Sequence, residues 1–194
     1  MAGANIHGYD FGKSQVALSP VSLQELREIE ATLGWSDEDA RVLARHRDIF
    51  EKHAEEMVDT WRAVIGSQPH LAKWFFAPDG KPDEAYKAGV KKRFVQWVRD
   101  VASRPHDPAW LDYQEEIGLR HTPVKKNKTE GTLTPDVVPL RFLIAFVPVV
   151  TMSTRTFFAA VPDNERRQLE DAWAKAVQLH VTLWARAYAK DGLW

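Results

Sequence analysis

Histidine is the side chain of this sequence best suited to hold a metal or a cofactor. The chain has seven histidines and no cysteine, which excludes thiolate-bound metals, iron–sulfur clusters, disulfides and covalent haem attachment through Cys-x-x-Cys-His. The two-histidine motif of metal hydrolases and the paired Glu-x-x-His motif of di-iron bundles do not occur. The metal chemistry that remains open is that of isolated histidines.

Two of these histidines lie on apolar helical faces. In the stretch PAWLDYQEEIGLRHTP, the residues Trp110, Tyr113, Ile117 and His121 are spaced by three or four positions and share one face of a helix. His180 lies in mid-helix, a usual packing position, whereas His121 lies in the last turn before a proline. At a helix end an imidazole can lean away while its second nitrogen reaches a free carbonyl. Two interpretations stay open for His121, a core histidine or a ligand.

Other functional classes receive no support from the sequence. Gly-x-Gly-x-x-Gly and phosphate-binding loops are absent, and the basic residues are dispersed, which argues against nucleic-acid binding. The formal net charge is −1, so no overall field favours nucleic acid or an acidic membrane. No stretch resembles a signal peptide, and the apolar run 137–152 contains an arginine and is shorter than the ~20 residues of a membrane span. We expect a cytoplasmic protein that binds neither membrane nor nucleic acid.

Helical periodicity and capping signals predict an all-α chain of seven or eight helices in one domain. SLQE at 22–25 opens a short helix to about residue 33, and SDED at 36–39 opens a long one to about residue 65. An apolar helix is predicted over 135–160, bent near Pro148, and a final helix over 162–192. No linker divides the chain.

Several segments resemble the protoglobins, which are single-domain haem proteins of the globin superfamily. The strongest is WLDYQEEIGLRH followed by KKN, and HGYDFG, DTWRAVIGSQPHL, PDGKPDEAY, VKKRFVQW and PLRFLIAF occur in the order and spacing of the family. The resemblance covers essentially the whole chain. It implies a globin-like fold with an extra N-terminal helix and loop over 1–34, within a single globin domain over 1–194.

The resemblance also implies a haem b site in which His121, the histidine that ends GLRH, is the iron ligand. Eight tryptophans and nine phenylalanines, which by composition suit either a core of large side chains or the walls of a flat apolar ligand, then acquire a role around the porphyrin. Arg93, adjacent to Phe94, is either a partner of a haem propionate or an exposed helix charge. The apolar residues implied around the haem are Trp61, Val90 and Phe94 on the distal side and Leu143, Phe146 and Val150 along the walls.

The sequence departs from the protoglobin pattern beside the distal tryptophan, where Arg62 replaces the usual tyrosine. A guanidinium stays charged and is costly to bury without a partner. Arg62 therefore either pairs with a propionate or a bound anionic ligand, or extends to solvent. Pro148 stands one residue before the usual proline of the family, which puts the register of Val150 in question.

A haem held by one histidine keeps a sixth iron position open for a gas. The resemblance therefore implies a haem protein that binds O₂, CO and NO, as a homodimer formed through the last two long helices. One alternative is a haem-dependent enzyme that detoxifies NO or peroxide, or a scaffold for carbene transfer, although Arg62 is the only polar group recognised as an acid or base there. The other alternative is a gas sensor that acts through a separate partner.

Overall fold

The structure is a computed structural model, and it describes residues 6–190, 192 and 194. Within these residues the fold is all helical, as predicted, and no β-strand occurs. Three short 3₁₀ turns (Lys73–Phe75, Arg155–Phe158 and Arg186–Tyr188) follow α-helices directly. The eight α-helices are α1 (Leu23–Leu33), α2 (Asp37–Arg45), α3 (Arg47–Ser67), α4 (Pro69–Ala72), α5 (Glu84–Val101), α6 (Pro108–Leu119), α7 (Leu140–Thr154) and α8 (Asp163–Ala185).

Polar side chains cap the helices that the sequence signals mark most clearly. Ser22 Oγ accepts a hydrogen bond from the backbone N–H of Glu25, whose carboxylate accepts one from the backbone N–H of Ser22, which is the predicted capping box of α1. Asp107 caps α6 through the N–H of Trp110 at 2.8 Å, and Pro108 occupies the first helical position. These contacts satisfy N–H groups that have no partner within the helix.

Several predicted helix boundaries differ from the structure, among them the ends of the last two helices, which lie at Thr154 rather than near residue 160 and at Ala185 rather than near residue 192. The long helix expected from SDED is broken at His46, whose backbone (φ −101°, ψ 17°) is not helical, so that α2 and α3 are separate. The apolar helix begins at Leu140 rather than near residue 135, because Pro139 adopts an extended conformation and caps it. His121 lies two residues beyond the end of α6, not in its last turn.

The core is built around α8, which packs against α2, α6 and α7, while α3 packs against α5. Trp61 on α3 and Trp173 on α8 are fully buried, and their rings stack with centroids 6.4 Å apart. The ring centroid of Phe50 lies 5.2 Å from that of Trp173. A second cluster, which includes Leu26 and Trp110, attaches α1 to α6 and α8. The predicted N-terminal extension over 1–34 thus has its helix docked on the main body, and its residues 1–5 lie outside the described residues.

Helix α7 is the most apolar helix. Together with the following turn, Leu140–Phe158 is long and apolar enough to cross a membrane by length and composition alone, a weak signal that helices of globular proteins also give. Pro148 lies inside α7 without ending it. The inner face of α7 packs toward α3 and α8. Its outer face leaves Ile144 51% and Met152 61% exposed.

Candidate functional site: an apolar cavity beside His121

A cavity of about 250 Å³ lies between α3, α5, α6, α7 and α8. Its lining is predominantly apolar and aromatic, with four cationic side chains and one histidine, His121, among the lining residues. An apolar cavity with a few polar groups is the usual form of a cofactor pocket.

The imidazole of His121 is held in one orientation by its surroundings. Its Nδ1 donates a hydrogen bond to the carbonyl oxygen of Ile117 at 2.8 Å, the free helix-end carbonyl expected from the sequence. The ring stacks on Trp184 with centroids 5.7 Å apart and an interplanar angle of 22°. Because Nδ1 carries the proton in this bond, Nε2 has a free lone pair. No other described residue forms a hydrogen bond to the ring, so that Nε2 is available to the cavity.

The backbone of His121 is anchored as well. Its carbonyl oxygen accepts hydrogen bonds from the N–H of Val138 at 2.9 Å and from the hydroxyl of Tyr188 at 3.1 Å. One turn earlier, Gly118 lets α6 approach α8 closely, because a Cβ at this position would lie 3.1 Å from the carbonyl oxygen and 3.2 Å from the Cα of Trp184. The glycine thus brings His121 and Trp184 into contact.

His180, the other candidate, does not line the cavity. It is 2% exposed, and its Nδ1 donates to the carbonyl oxygen of Ala176 at 2.7 Å. Its ring contacts Trp97, Trp110 and Trp184 edge-on. Both histidines donate a hydrogen bond to the carbonyl oxygen four residues earlier in the chain. They differ in that His121 lines the cavity and His180 does not. His180 is a packed core histidine, as its sequence position indicated.

Burial keeps both imidazoles neutral. It lowers the pKa of His121 from 6.5 to about 4 and that of His180 from 6.5 to about 3, against smaller opposing effects of their backbone hydrogen bonds. Metal ligation requires the neutral ring. The imidazole of His121 is therefore in its ligating form throughout the neutral range.

These depressed pKa values predict acid sensitivity of the protein without added cofactor. The unfolded chain takes up protons near pH 6.5 and the folded chain does not, so the free energy of unfolding falls as the pH is lowered from about 6.5 toward 4. For His121 alone the loss is on the order of 3 kcal/mol. Urea unfolding at several pH values measures it. His180→Asn, which keeps a donor for Ala176, should flatten this pH dependence, whereas replacement of the exposed His70 by asparagine should not; an identical slope in all three proteins would contradict the expectation.

The structure brings eight of the nine predicted site residues to the cavity. Trp61 is the exception, because it lies behind Phe94, with ring centroids 5.1 Å apart, and its indole N–H donates to Ser153 at 2.9 Å. Val150 lines the cavity, although Pro148 lies one residue before the position of the usual protoglobin proline. The predicted residues that line the cavity are His121, Arg62, Val90, Arg93, Phe94, Leu143, Phe146 and Val150.

The two predicted arginines differ in how their charges are paired. Arg93 forms an ion pair with Glu130, at a site where both side chains are largely buried, and also donates to the carbonyl oxygen of His7. Among the residues that the structure describes, Arg62 has one ion-pair partner, Asp59 at 3.9 Å, and Asp59 pairs more closely with Lys91 at 2.8 Å. Its side chain is 28% exposed. Arg62 is therefore the cation beside the cavity that is most available to a bound anion.

One wall of the cavity comes from the segment that precedes α1. Tyr9 lines the cavity, and its hydroxyl donates to Asp100 at 2.5 Å. Asp10 forms an ion pair with Arg120 at 2.9 Å, and the carbonyl oxygen of Gly8 accepts a hydrogen bond from the same guanidinium. Arg120 thus ties this segment to the turn that carries His121.

Several lining residues escaped the sequence analysis. Lys126 is 3% exposed and satisfies its ammonium through the carbonyl oxygen of Trp74 at 3.0 Å and the hydroxyl of Thr134 at 2.9 Å. Burial lowers its pKa to about 8. Trp74 contributes an indole N–H that is buried without a partner among the described residues. Lys126 belongs to the KKN motif noted above, which was a usable signal, whereas nothing in the pattern marked Trp74.

The residues around the cavity fit a haem. A neutral imidazole with a free Nε2 is the donor that a five-coordinate haem iron requires. The aromatic and aliphatic lining suits a flat apolar ring, and the cationic side chains suit its two carboxylates. Among the described residues no group of three or more histidine or acidic side chains could hold a bare metal ion.

Comparison with solved structures identifies the fold. The globin domain of the Geobacter sulfurreducens globin-coupled sensor matches with a TM-score of 0.67, over 84% of this chain and 97% of that one, at 18% sequence identity. An identity this low shows the fold alone. The chain has the globin fold.

A protein-family model identifies the family within the globin fold. The model described as Protoglobin matches residues 22–194, so the chain belongs to the protoglobin family, which confirms the resemblance. Membership implies haem-based gas binding. None of the curated proteins compared with the chain matches it.

Proposed function

We propose that this protein binds haem b through His121 and reversibly binds O₂, CO and NO at the open side of a five-coordinate iron. One observation carries the proposal: Nε2 of His121 has no hydrogen-bond partner among the described residues, and its ring lines an apolar cavity. His180 makes the same backbone bond but lies outside the cavity, so it offers no comparable ligand.

The protein's own residues orient the ligand and keep water away. The hydrogen bond to Ile117 fixes the tautomer of His121 and raises its basicity, and Trp184 restricts rotation of the ring. Phe94, Phe146 and Val150 contribute apolar surface, which excludes water that would compete for the cofactor. Bound haem supplies an iron whose sixth position accepts a diatomic gas. We propose that Trp61, predicted as a direct haem contact, instead supports Phe94, since their ring centroids lie 5.1 Å apart. We also propose that the protein is cytoplasmic.

Absorption spectroscopy tests the proposal. Titration of the haem-free protein with haemin should give a saturable Soret band at one haem per chain. After reduction, CO should shift this band, and removal of CO should restore it. A protein that stays spectrally silent, or that binds haemin without a CO response, would contradict the proposed function.

Arg62 is expected to act on anionic ligands of the ferric protein. Its guanidinium lies at the cavity with one distant partner, and a hydrogen bond to a charged group contributes about 1.5 kcal/mol or more. Arg62→Leu should therefore weaken azide binding by about tenfold and leave CO binding nearly unchanged. Arg155→Leu, which removes a 56% exposed arginine paired with Glu170, is the control. Equal azide affinities in the two variants would show that Arg62 points to solvent.

We further propose that the protein is a homodimer through α7 and α8. The exposed apolar side chains of Ile144 and Met152 on the outer face of α7 support this arrangement. Sedimentation equilibrium should give twice the chain mass for the unmodified protein and the chain mass for Ile144→Lys combined with Met152→Lys. Leu18→Lys, at an 82% exposed position before α1, should leave the dimer intact. A monomeric unmodified protein would rule the dimer out.

A further inference from the structure

A continuous series of aromatic rings connects the cavity to the protein surface. Trp184 lines the cavity and stacks on His121, and its ring centroid lies 6.0 Å from that of His180. His180 contacts Trp110 at 5.2 Å. We call the series of Trp184, His180, Trp110, His106 and Trp35 the aromatic path.

The outer half of the aromatic path is a parallel stack. His106 lies between Trp110, at 4.1 Å and 25°, and Trp35, at 5.1 Å and 27°. Its Nδ1 pairs with the carboxylate of Glu30 at 2.6 Å. Trp35 is partly exposed and borders a shallow surface depression that also includes Glu30. Overlapping ring faces give the electronic contact that one-electron transfer needs.

We propose that the aromatic path carries single electrons from Trp35 at the surface to the haem cavity, where they reduce hydrogen peroxide. The inference rests on the proposed function, because it requires haem beside His121. Indole is among the side chains most easily oxidised, whereas imidazole is much harder to oxidise. The three tryptophans therefore hold the electron vacancy in turn, and the two histidines bridge them.

Charge and solvation favour Trp35 as the outer end of the path. An oxidised indole is a cation, which burial disfavours. Trp35 contacts solvent, and the carboxylate of Glu30 behind His106, which also pairs with Arg27 at 2.5 Å, partly offsets a positive charge there. Trp97 lines the cavity and Trp173 contacts Trp97, but their indole N–H groups are buried without a hydrogen-bond partner among the described residues. Neither can pass its proton on, so an electron vacancy does not settle on them.

The chemistry balances with peroxide as oxidant. Hydrogen peroxide takes up two electrons and two protons, its O–O bond breaks, and two waters form. Each electron leaves the indole of Trp35, whose Nε1 proton goes to water, and a one-electron donor in solution such as ascorbate returns an electron and a proton to Trp35. Two molecules of donor are consumed for each peroxide. Without a donor, the Trp35 radical reacts with dissolved O₂, and hydroxytryptophan or kynurenine marks the residue.

Peptide mass spectrometry of the haem-loaded protein after peroxide treatment without donor tests the proposal. Trp194 serves as an internal reference, because it is 42% exposed and takes no part in the ring contacts. Oxidation should be concentrated on Trp35 rather than on Trp194, and it should require bound haem. Trp110→Phe, which interrupts the path, should lower oxidation of Trp35 by tenfold or more, since about 1.4 kcal/mol added to a barrier lowers a rate tenfold. Trp194→Phe should leave oxidation of Trp35 unchanged.

A second measurement does not depend on the buried Trp110. In Trp35→Phe, repeated additions of peroxide should bleach the Soret band faster than in the unmodified protein, because the oxidising equivalents no longer leave the cavity. Equal oxidation of Trp35 and Trp194, oxidation of Trp35 in the haem-free protein, or an unchanged yield in Trp110→Phe would overturn the aromatic path. These outcomes leave the proposed function intact if the Soret band forms, whereas absence of the Soret band removes both.

Discussion

We expect haem binding to be lost in His121→Gly and to be restored by free imidazole. The substitution removes the only histidine that lines the cavity among the described residues, yet leaves the apolar walls in place. Exogenous imidazole fits the space of the missing ring, where its N–H can donate to the carbonyl oxygen of Ile117 and its ring can stack on Trp184. The Soret band of the reduced, haem-reconstituted variant should therefore be absent or weak without imidazole and should rise with imidazole concentration.

His180→Asn is the matched control for this experiment. It removes the other buried histidine and keeps a donor for the carbonyl of Ala176, so the Soret band should persist. Circular dichroism of both variants establishes that they are folded. Loss of the band in His180→Asn with retention in His121→Gly would reverse the assignment, and retention in both would place the iron ligand elsewhere.

Replacement of Trp173 by alanine should lower the free energy of unfolding by about 3–5 kcal/mol. Trp173 is fully buried, and its ring contacts Phe50, Trp61 and Trp97. Alanine leaves a cavity that these large rings cannot close. Because globular domains are stable by only about 5–15 kcal/mol, this loss is a large fraction of the total stability.

Urea unfolding of the haem-free proteins measures this loss. Trp194→Ala, at a 42% exposed position, should change the free energy of unfolding by less than about 0.5 kcal/mol. Similar stabilities of the two variants would mean that the tryptophan cluster around Trp173 rearranges to fill the space.

Much of the fold was predictable because its signals are local. The capping box at Ser22 and the Asp107–Pro108 start of α6 depend on neighbouring residues, and both occur as predicted. The break at His46 was missed because the apolar spacing continues across it, so that periodicity sees one helix where the backbone makes two. The start of α7 was placed too early because Val138 instead donates a hydrogen bond to the distant His121.

The site was predictable only in part for a similar reason. His121 and the lining residues of α7 follow from helical faces and from the protoglobin resemblance. The position of Trp61 behind Phe94 depends on how α3 and α5 pack against each other. The spacing of apolar residues along the sequence does not specify this packing. The partner of Arg93 is Glu130, far away in sequence, so that no local pattern could have shown that Arg62 rather than Arg93 remained available.

The wall formed by residues 8–10 differs from the other walls of the cavity in what holds it. The helical walls are part of the packed core, whereas this wall is held largely by polar contacts, namely the ion pair and backbone hydrogen bond to Arg120 and the hydrogen bond from Tyr9 to Asp100, together with the packing of the Tyr9 ring on Tyr113. Local openings draw on regions with few buried apolar contacts. We therefore expect bound haem to exchange on this side without melting of the helices, and dissolved salt, which screens the ion pair, should speed that exchange.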